Sequence, residues 1–172
     1  MSKRFVFLAL AMAVFSLSAA AGDAAATSTL PNPLKNAKAG QWVHYRMNTL
    51  FGTADQKQTL VGIEGEGDDR VLSIKSEMTI DDEIVDERTD AITYRAAMDE
   101  QERALSEAEN VQITTTTADF KGAKMNAVQM DFVQEGKRCV LILSEDVPLI
   151  GMIRMEVEGQ EEPAMELLDF GE

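Results

Sequence analysis

The stretch that decides the fold is residues 71 to 80, which read VLSIKSEMTI. Apolar and polar side chains alternate along it with a period of two, as is typical of a β-strand that buries only one face. The apolar set is Leu72, Ile74, Met78 and Ile80. A strand of a parallel sheet, covered on both faces, would be continuously apolar. The stretch therefore predicts an antiparallel sheet with one buried and one solvated face.

Similar short stretches recur on both sides of this strand. Towards the N-terminus, Val43 and Tyr45 share one face of a predicted strand with Met47. Towards the C-terminus, glycines and prolines separate several further stretches of strand character. The other predicted strands cover residues 60 to 63, 83 to 89, 111 to 117, 125 to 134, 137 to 144, 151 to 158 and 164 to 170.

One segment departs from this pattern. Between residues 94 and 108, Tyr94, Met98, Leu105 and Ala108 recur at helical spacing among good helix formers, without glycine or proline. The order of strands, one helix and strands predicts a mainly β fold with one helix, of the α+β class. We expect an antiparallel open half-barrel, or a strongly curved sheet, wrapped on that helix.

The composition limits the partners of the chain. Its 172 residues suit one ordinary domain, and 16 basic against 30 acidic residues give a formal charge of -14. Such a charge disfavours nucleic acid and anionic lipid surfaces as partners, since both are polyanionic. Charge repulsion between copies also predicts a monomer.

The N-terminus has the pattern of a secretory signal peptide. Lys3 and Arg4 precede an uncharged, mainly apolar run over residues 5 to 17, which small residues follow. As a helix, this run is about 20 Å long and too short for a hydrocarbon core of about 30 Å. We predict a signal peptide over residues 1 to 21, a flexible leader over residues 22 to 39 and a single domain over residues 40 to 172.

This pattern predicts a periplasmic or secreted protein without an integral membrane anchor after cleavage. Cleavage after Ala20 or Ala21 removes Lys3 and Arg4, and changes the formal charge from -14 to -16.

The sequence offers few residues for catalysis or metal binding. It contains one histidine, His44, and one cysteine, Cys139, so histidine and cysteine clusters of the usual zinc kinds cannot form. No G-x-S-x-G motif accompanies His44. Cys139 alternates in phase with Leu141 and Leu143, which predicts a buried, unreactive thiol. We therefore expect no enzyme, no catalytic residue, no metal ligand and no cofactor.

The chain is rich in methionine, with ten residues in all. Thioether sulfur binds monovalent copper, and flexible methionine side chains also suit an apolar ligand of variable shape. Because the methionines are spread along the sequence, core packing is the favoured interpretation, contact with an apolar ligand the second, and copper binding the last.

Three stretches carry a family resemblance. SEDVPLIGMIRMEVEG at residues 144 to 159 and AMELLDFG at residues 164 to 171 resemble the tail of small exported bacterial proteins, where a hairpin precedes a final strand. AGQWVHY at residues 39 to 45 is similar to their first strand. Together these stretches resemble the periplasmic lipoprotein-carrier superfamily. The resemblance implies an open half-barrel of antiparallel strands, closed on one side by helices, that binds acyl chains in its concave face.

Two functions of different class follow. The first is an exported binding protein that holds an acyl chain or another apolar ligand, such as a lipid, against a concave sheet face with the helix as lid. The predicted ligand wall and lid are Val43, Tyr45, Leu72, Ile74, Met98, Leu105, Met130 and Phe132. The alternative is a non-enzymatic structural or interaction protein of the cell envelope, with a sheet face filled by its own helix.

Overall fold

The computed structural model describes residues 30 to 49 and 52 to 172. The predicted signal peptide and residues 22 to 29 of the predicted leader lie outside the described residues. The described chain forms one α-helix, α1 (Tyr94–Glu107), two short 3-10 helices at Pro33–Asn36 and Gly67–Asp69, and nine strands. The strands are β1 (Trp42–Thr49), β2 (Gly52–Glu64), β3 (Val71–Ile80), β4 (Glu83–Thr93), β5 (Glu109–Phe120), β6 (Ala123–Gln134), β7 (Lys137–Leu143), β8 (Met152–Val157) and β9 (Met165–Gly171).

All nine strands belong to one antiparallel sheet, in the order β4-β3-β2-β1-β9-β8-β7-β6-β5. Strands make up 61% of the described residues, which confirms the prediction of a mainly antiparallel β fold with one helix. The sheet consists of two meanders that meet where β1 pairs with β9. It is open, with β4 and β5 as its edges, and α1 carries the chain from one edge to the other.

Local sequence explains where these elements begin and turn. Asp81 and Asp82 both have positive φ, as a two-residue turn between antiparallel strands requires. α1 begins where the Thr93 side chain accepts a hydrogen bond from the backbone N–H of Ala96, at 3.1 Å. It ends at Glu107, one residue before the predicted end.

The sheet buries one face, which we call the inner face, against α1. Alternate residues of β1, β2 and β3, among them Tyr45, Leu60 and Leu72, share one hydrophobic core with Ala97 and Leu105 of α1. The predicted alternation holds in the first part of β3, where Leu72 and Ile74 are buried, but Met78 is only half-buried and Ile80, at the end of the strand, is 42% exposed. The other face carries polar side chains such as Lys57 and Lys75.

The sheet is strongly curved on its β5 side. The rings of Phe120, at the end of β5, and Phe170, in β9, lie 5.5 Å apart. β5 and β9 are four strands apart in the sheet, which in a flat sheet corresponds to roughly 19 Å. The hairpin of β5 and β6 therefore curls back over the sheet, and a salt bridge of 2.9 Å between Lys121 and Asp169 joins the same two regions.

The described part of the predicted flexible leader, residues 30 to 39, packs on the domain. Leu30 and Leu34 are buried in the core. The Asn32 side chain donates a hydrogen bond of 2.8 Å to the Tyr94 hydroxyl, and the Arg70 guanidinium donates one of 2.9 Å to the Leu34 carbonyl. Apolar contacts and partly buried hydrogen bonds thus fix a segment that its composition alone suggests to be free.

Within the described residues, no helix has both the length and the apolar composition to cross a bilayer.

Candidate functional site

The inner face brings together the eight residues of the predicted ligand wall and lid. Six of them lie on β1, β3 and β6, in phase with one another, and Met98 and Leu105 lie on α1. Seven of the eight are buried, and Met98 is half-buried. These side chains therefore lie in or against one core, where α1 and the neighbouring strands cover them.

The β6–β9 side of the inner face is apolar. Cross-strand pairing places its side chains in adjacent rows on one face, because directly opposed residues of antiparallel strands point the same way. We call this set the apolar patch. Its members are Met130, Phe132, Cys139, Leu141, Leu143, Met155, Met165 and Leu167.

The β2–β3 side of the inner face differs, because three buried side chains there are polar. Gln56 and Gln58 follow the same alternation as Leu60, so the pleat turns them inward, and Ser76 lies opposite Gln58. We call Gln56, Gln58 and Ser76 the polar patch. A fourth buried polar side chain, Gln101, faces the core from α1, between Ala97 and Leu105 on its buried stripe.

Two of these amides are incompletely hydrogen-bonded. The side-chain carbonyl oxygens of Gln56 and Gln101 are buried and have no hydrogen-bond partner among the described residues. Gln56 is 1% exposed and Gln101 is 3% exposed, so open solvent does not reach these oxygens. A buried acceptor without a partner costs about 1–3 kcal/mol. The closed contact between α1 and the sheet is therefore less stable than an apolar contact of the same area.

A charged pair borders the polar patch on β4. Arg88 lies opposite Ser76, and Asp90 lies opposite Ile74, so both are on the inner side of this edge strand. The Arg88 Nε and the Asp90 carboxylate are 3.0 Å apart. The inner face is thus apolar at β6–β9 and mixed at β2–β4, where Leu60, Leu72 and Ile74 share it with polar and charged side chains.

α1 is attached chiefly at its N-terminal end. Tyr94 accepts a hydrogen bond from Asn32, the Arg70 guanidinium lies over the Tyr94 ring at 4.0 Å, and Arg95 pairs with Asp69 at 3.5 Å. Beyond Met98, no side chain of α1 makes a hydrogen bond or ion pair with another described element. Apolar contact, chiefly through Leu105, holds the C-terminal half of the helix on the sheet.

A loop fills one end of the inner face, which we call the plugged end. The loop of residues 144 to 151 buries Val147, Leu149 and Ile150 in the core, beside Leu30 and Leu34. The Tyr45 hydroxyl donates a hydrogen bond of 3.0 Å to the carbonyl of Met152, just after this loop, and burial raises the pKa of Tyr45. This end is therefore fixed by buried contacts.

Two of the surface clefts formed by the described residues lie away from the predicted ligand wall. One, of about 350 Å³, lies beside residues 156 to 163 with Arg138 and Arg154. The other, of about 530 Å³, lies at the plugged end between Leu30 and Phe170. None of the eight predicted wall and lid residues lines either cleft.

The described residues contain no group of three His, Cys, Asp or Glu side chains that could hold a metal ion. His44 lies on the outer face, with its Nε2 atom 3.8 Å from the Asp55 carboxylate. Cys139 is buried in the apolar patch, and burial raises the pKa of its thiol. Its surroundings therefore disfavour the thiolate form that a nucleophile requires.

Sequence reasoning missed the polar patch and Gln101. Their inward orientation could be read from the sequence. Gln56 and Gln58 lie four and two residues before Leu60, which places them on the same face of a strand, and Gln101 lies four residues before Leu105 on a helix. A prediction of the core that uses only apolar residues misses amide side chains that lie at buried positions.

No known protein family, curated protein or solved structure matches the chain.

Proposed function

We propose that this protein is a non-enzymatic binding protein that takes the acyl chain of an amphiphile onto the inner face of the sheet, with α1 as its lid. The observation that carries the proposal is the divided inner face. The apolar patch suits a hydrocarbon chain, and covering apolar surface stabilises a complex by about 25 cal/mol per Å². The polar patch, with Arg88 beside it, suits a polar head group.

The proposed container is an open half-barrel formed by the curved sheet. The contact between Phe120 and Phe170 supports strong curvature, and the plugged end supports a closed bottom. The signal-peptide pattern of residues 1 to 21 and the resemblance to periplasmic lipoprotein carriers support a periplasmic or secreted setting, in which lipid is the proposed partner.

Binding in this container requires α1 to move, because the wall residues are covered in the described conformation. The firm attachment of Tyr94 and Arg95, against apolar contact alone beyond Met98, supports a hinge at the N-terminal end of α1. The partnerless carbonyl oxygens of Gln56 and Gln101 reduce the free energy needed for opening. Head-group hydroxyls or amides could donate hydrogen bonds to these two oxygens.

A structural or interaction protein of the cell envelope is the second candidate. The observation that favours it is the burial of seven of the eight predicted wall and lid residues. In that function α1 never opens, and the inner face serves only as core.

The variant Gln101→Met separates the two candidates. Methionine matches glutamine in length and helix propensity, and it removes the partnerless carbonyl oxygen from the closed contact. If α1 is a lid, opening becomes harder, so the apparent affinity for a fluorescent fatty acid falls while the unfolding free energy rises. If removal of the oxygen makes closing of α1 more favourable by about 1 kcal/mol, the apparent affinity falls roughly fivefold.

The matched control is Glu102→Met, which places the same side chain on the exposed face of α1. It should leave both the affinity and the unfolding free energy nearly unchanged. A flat titration of the wild-type protein would overturn the binding proposal and leave the structural one. Equal affinity of the wild type and Gln101→Met would show that the probe binds without α1 acting as a lid.

A further inference from the structure

Three methionines that are far apart in the sequence lie side by side in the sheet. Met47 of β1 lies directly opposite Met165 of β9, and Met165 lies directly opposite Met155 of β8. We call these three residues the methionine row. No register shift falls within the row, so all three side chains leave the same face, the one that Tyr45 and Leu167 share. Directly opposed residues have Cα atoms about 4.5–5.5 Å apart, so neighbouring thioethers are within reach of one ion.

The burial of the row suits an ion that must enter and then be shielded. Met165, in the middle, is 8% exposed, whereas Met47 and Met155 on either side are half-buried. The outer two side chains therefore give access from the surface. Methionine has three rotatable side-chain bonds, so the outer thioethers can turn towards the central one without a change of backbone.

The chemistry of the row selects the kind of ion. Thioether sulfur is a soft, neutral ligand that favours monovalent copper over hard cations such as Mg²⁺ or Ca²⁺. Residues on either side of the row on the inner face, Ala54 of β2 and Leu141 of β7, offer no oxygen or nitrogen ligand from their side chains. The formal charge of -14 on the chain favours the approach of a cation.

We propose that the methionine row is a binding site for monovalent copper, held by the Sδ atoms of Met47, Met155 and Met165. This inference is independent of the lipid proposal, since it rests on the register of β1, β9 and β8 and not on movement of α1. Binding involves no change of oxidation state, because the ion enters and stays as Cu(I).

The experiment is an anaerobic competition for Cu(I) between the full chain and the chromophoric chelator bicinchoninate, with ascorbate as reductant. We expect the wild-type protein to withdraw one equivalent of Cu(I) from the chelator. Met165→Leu should weaken this binding by about tenfold or more, equivalent to about 1.4 kcal/mol. Such a volume-conserving change is well tolerated in a core, so the fold is retained, and circular dichroism checks this.

The matched control is Met130→Leu. Met130 is buried on the same face, but Leu141 lies between it and Met155. This variant should bind Cu(I) as the wild type does. X-ray absorption at the copper edge should show only sulfur neighbours in the wild-type complex.

Two outcomes would overturn the proposal. The first is a wild-type protein that withdraws no Cu(I), or one that Met165→Leu leaves unchanged. The second concerns Cys139, whose strand partner Val157 lies two residues from Met155. If Cys139→Ala removes binding and Met165→Leu does not, a thiolate holds the ion and the methionine row does not.

Discussion

The apolar patch and the polar patch lie on the same face of one sheet, yet they are buried in different ways. Leu143 of the apolar patch is fully buried, and the plugging loop of residues 144 to 151 follows it directly. Gln56 of the polar patch is almost as buried, but its side-chain carbonyl oxygen has no partner among the described residues. Equal burial therefore does not mean equal stability. Burial of the apolar patch stabilises the folded state, whereas the partnerless carbonyl oxygen in the polar patch lowers that stability.

The largest expected effect comes from a cavity in the apolar patch. Leu143→Ala removes a fully buried side chain that lies between Val128 and Met152 on the neighbouring strands. We expect the free energy of unfolding to fall by about 2–5 kcal/mol, measured by urea denaturation. Val61→Ala, at a position that is 50% exposed, should change it by less than about 0.5 kcal/mol. A similar loss in both variants would contradict the assignment of Leu143 to a well-packed core.

The next effect should have the opposite sign and lie in the polar patch. Gln56→Met replaces an amide whose carbonyl oxygen is partnerless with an apolar side chain of similar length. We expect the free energy of unfolding to rise by about 1 kcal/mol, since the desolvated acceptor is removed. Gln112→Met, at an exposed position of β5, is the control and should have little effect. A loss of stability in Gln56→Met would mean that the amide is satisfied in solution, for example by bound water, and the contrast between the patches would weaken.

The smallest expected effect concerns the salt bridge between Lys121 and Asp169, which joins the hairpin of β5 and β6 to β9. The hydrogen bond from Lys121, followed by the Phe170 backbone N–H, lowers the pKa of Asp169. A carboxyl with a lowered pKa in the folded state contributes stability above its unfolded pKa of about 3.9, and loses it as the pH falls further. Asp169→Asn should therefore be slightly less stable than the wild type at pH 6, and the difference should shrink as the pH falls below about 3.9 and disappear below the lowered pKa of the folded state.

The control for this pH dependence is Asp119→Asn, at an exposed position of the same hairpin. Urea denaturation at a series of pH values measures both variants. A difference between Asp169→Asn and the wild type that does not shrink as the pH falls from 6 into the acid range would show that the hairpin contact does not depend on the Asp169 charge.

The local part of the fold could be predicted from the sequence. In β3, the alternation of Leu72 and Ile74 with Ser73 and Lys75 is a property of adjacent residues, and it predicted the strand and the buried face of its first part correctly, whereas Ile80 is exposed. Likewise, the helical spacing of Tyr94 and the residues after it gave α1 to within one residue. Such patterns are readable because a strand or helix presents one face with a short, fixed period.

The long-range part could not be predicted in the same way. Nothing near Trp42 indicates that its strand pairs with a strand ending at Gly171, because register between distant strands is set by the whole sheet. The methionine row depends on that pairing. From the sequence alone, Met47 and Met165 are therefore interpreted as unconnected core residues. The eight predicted wall and lid residues belong to one core or pack against it, but how completely α1 covers them depends on packing that alternation does not encode.

The pairing of β1 with β9 also governs the order in which the chain can fold. Trp42 and Gly171 are partners in the middle of the sheet, so this contact closes a loop that contains almost the whole domain. Contacts of such high sequence separation slow folding, because the entropy of loop closure is lost before the contact forms. Each meander can pair its own strands early, but the two halves can join only once β9 is present to pair with β1. Until then β1 and β8 are unprotected edges, and a chain stalled at that stage would be a substrate for chaperones.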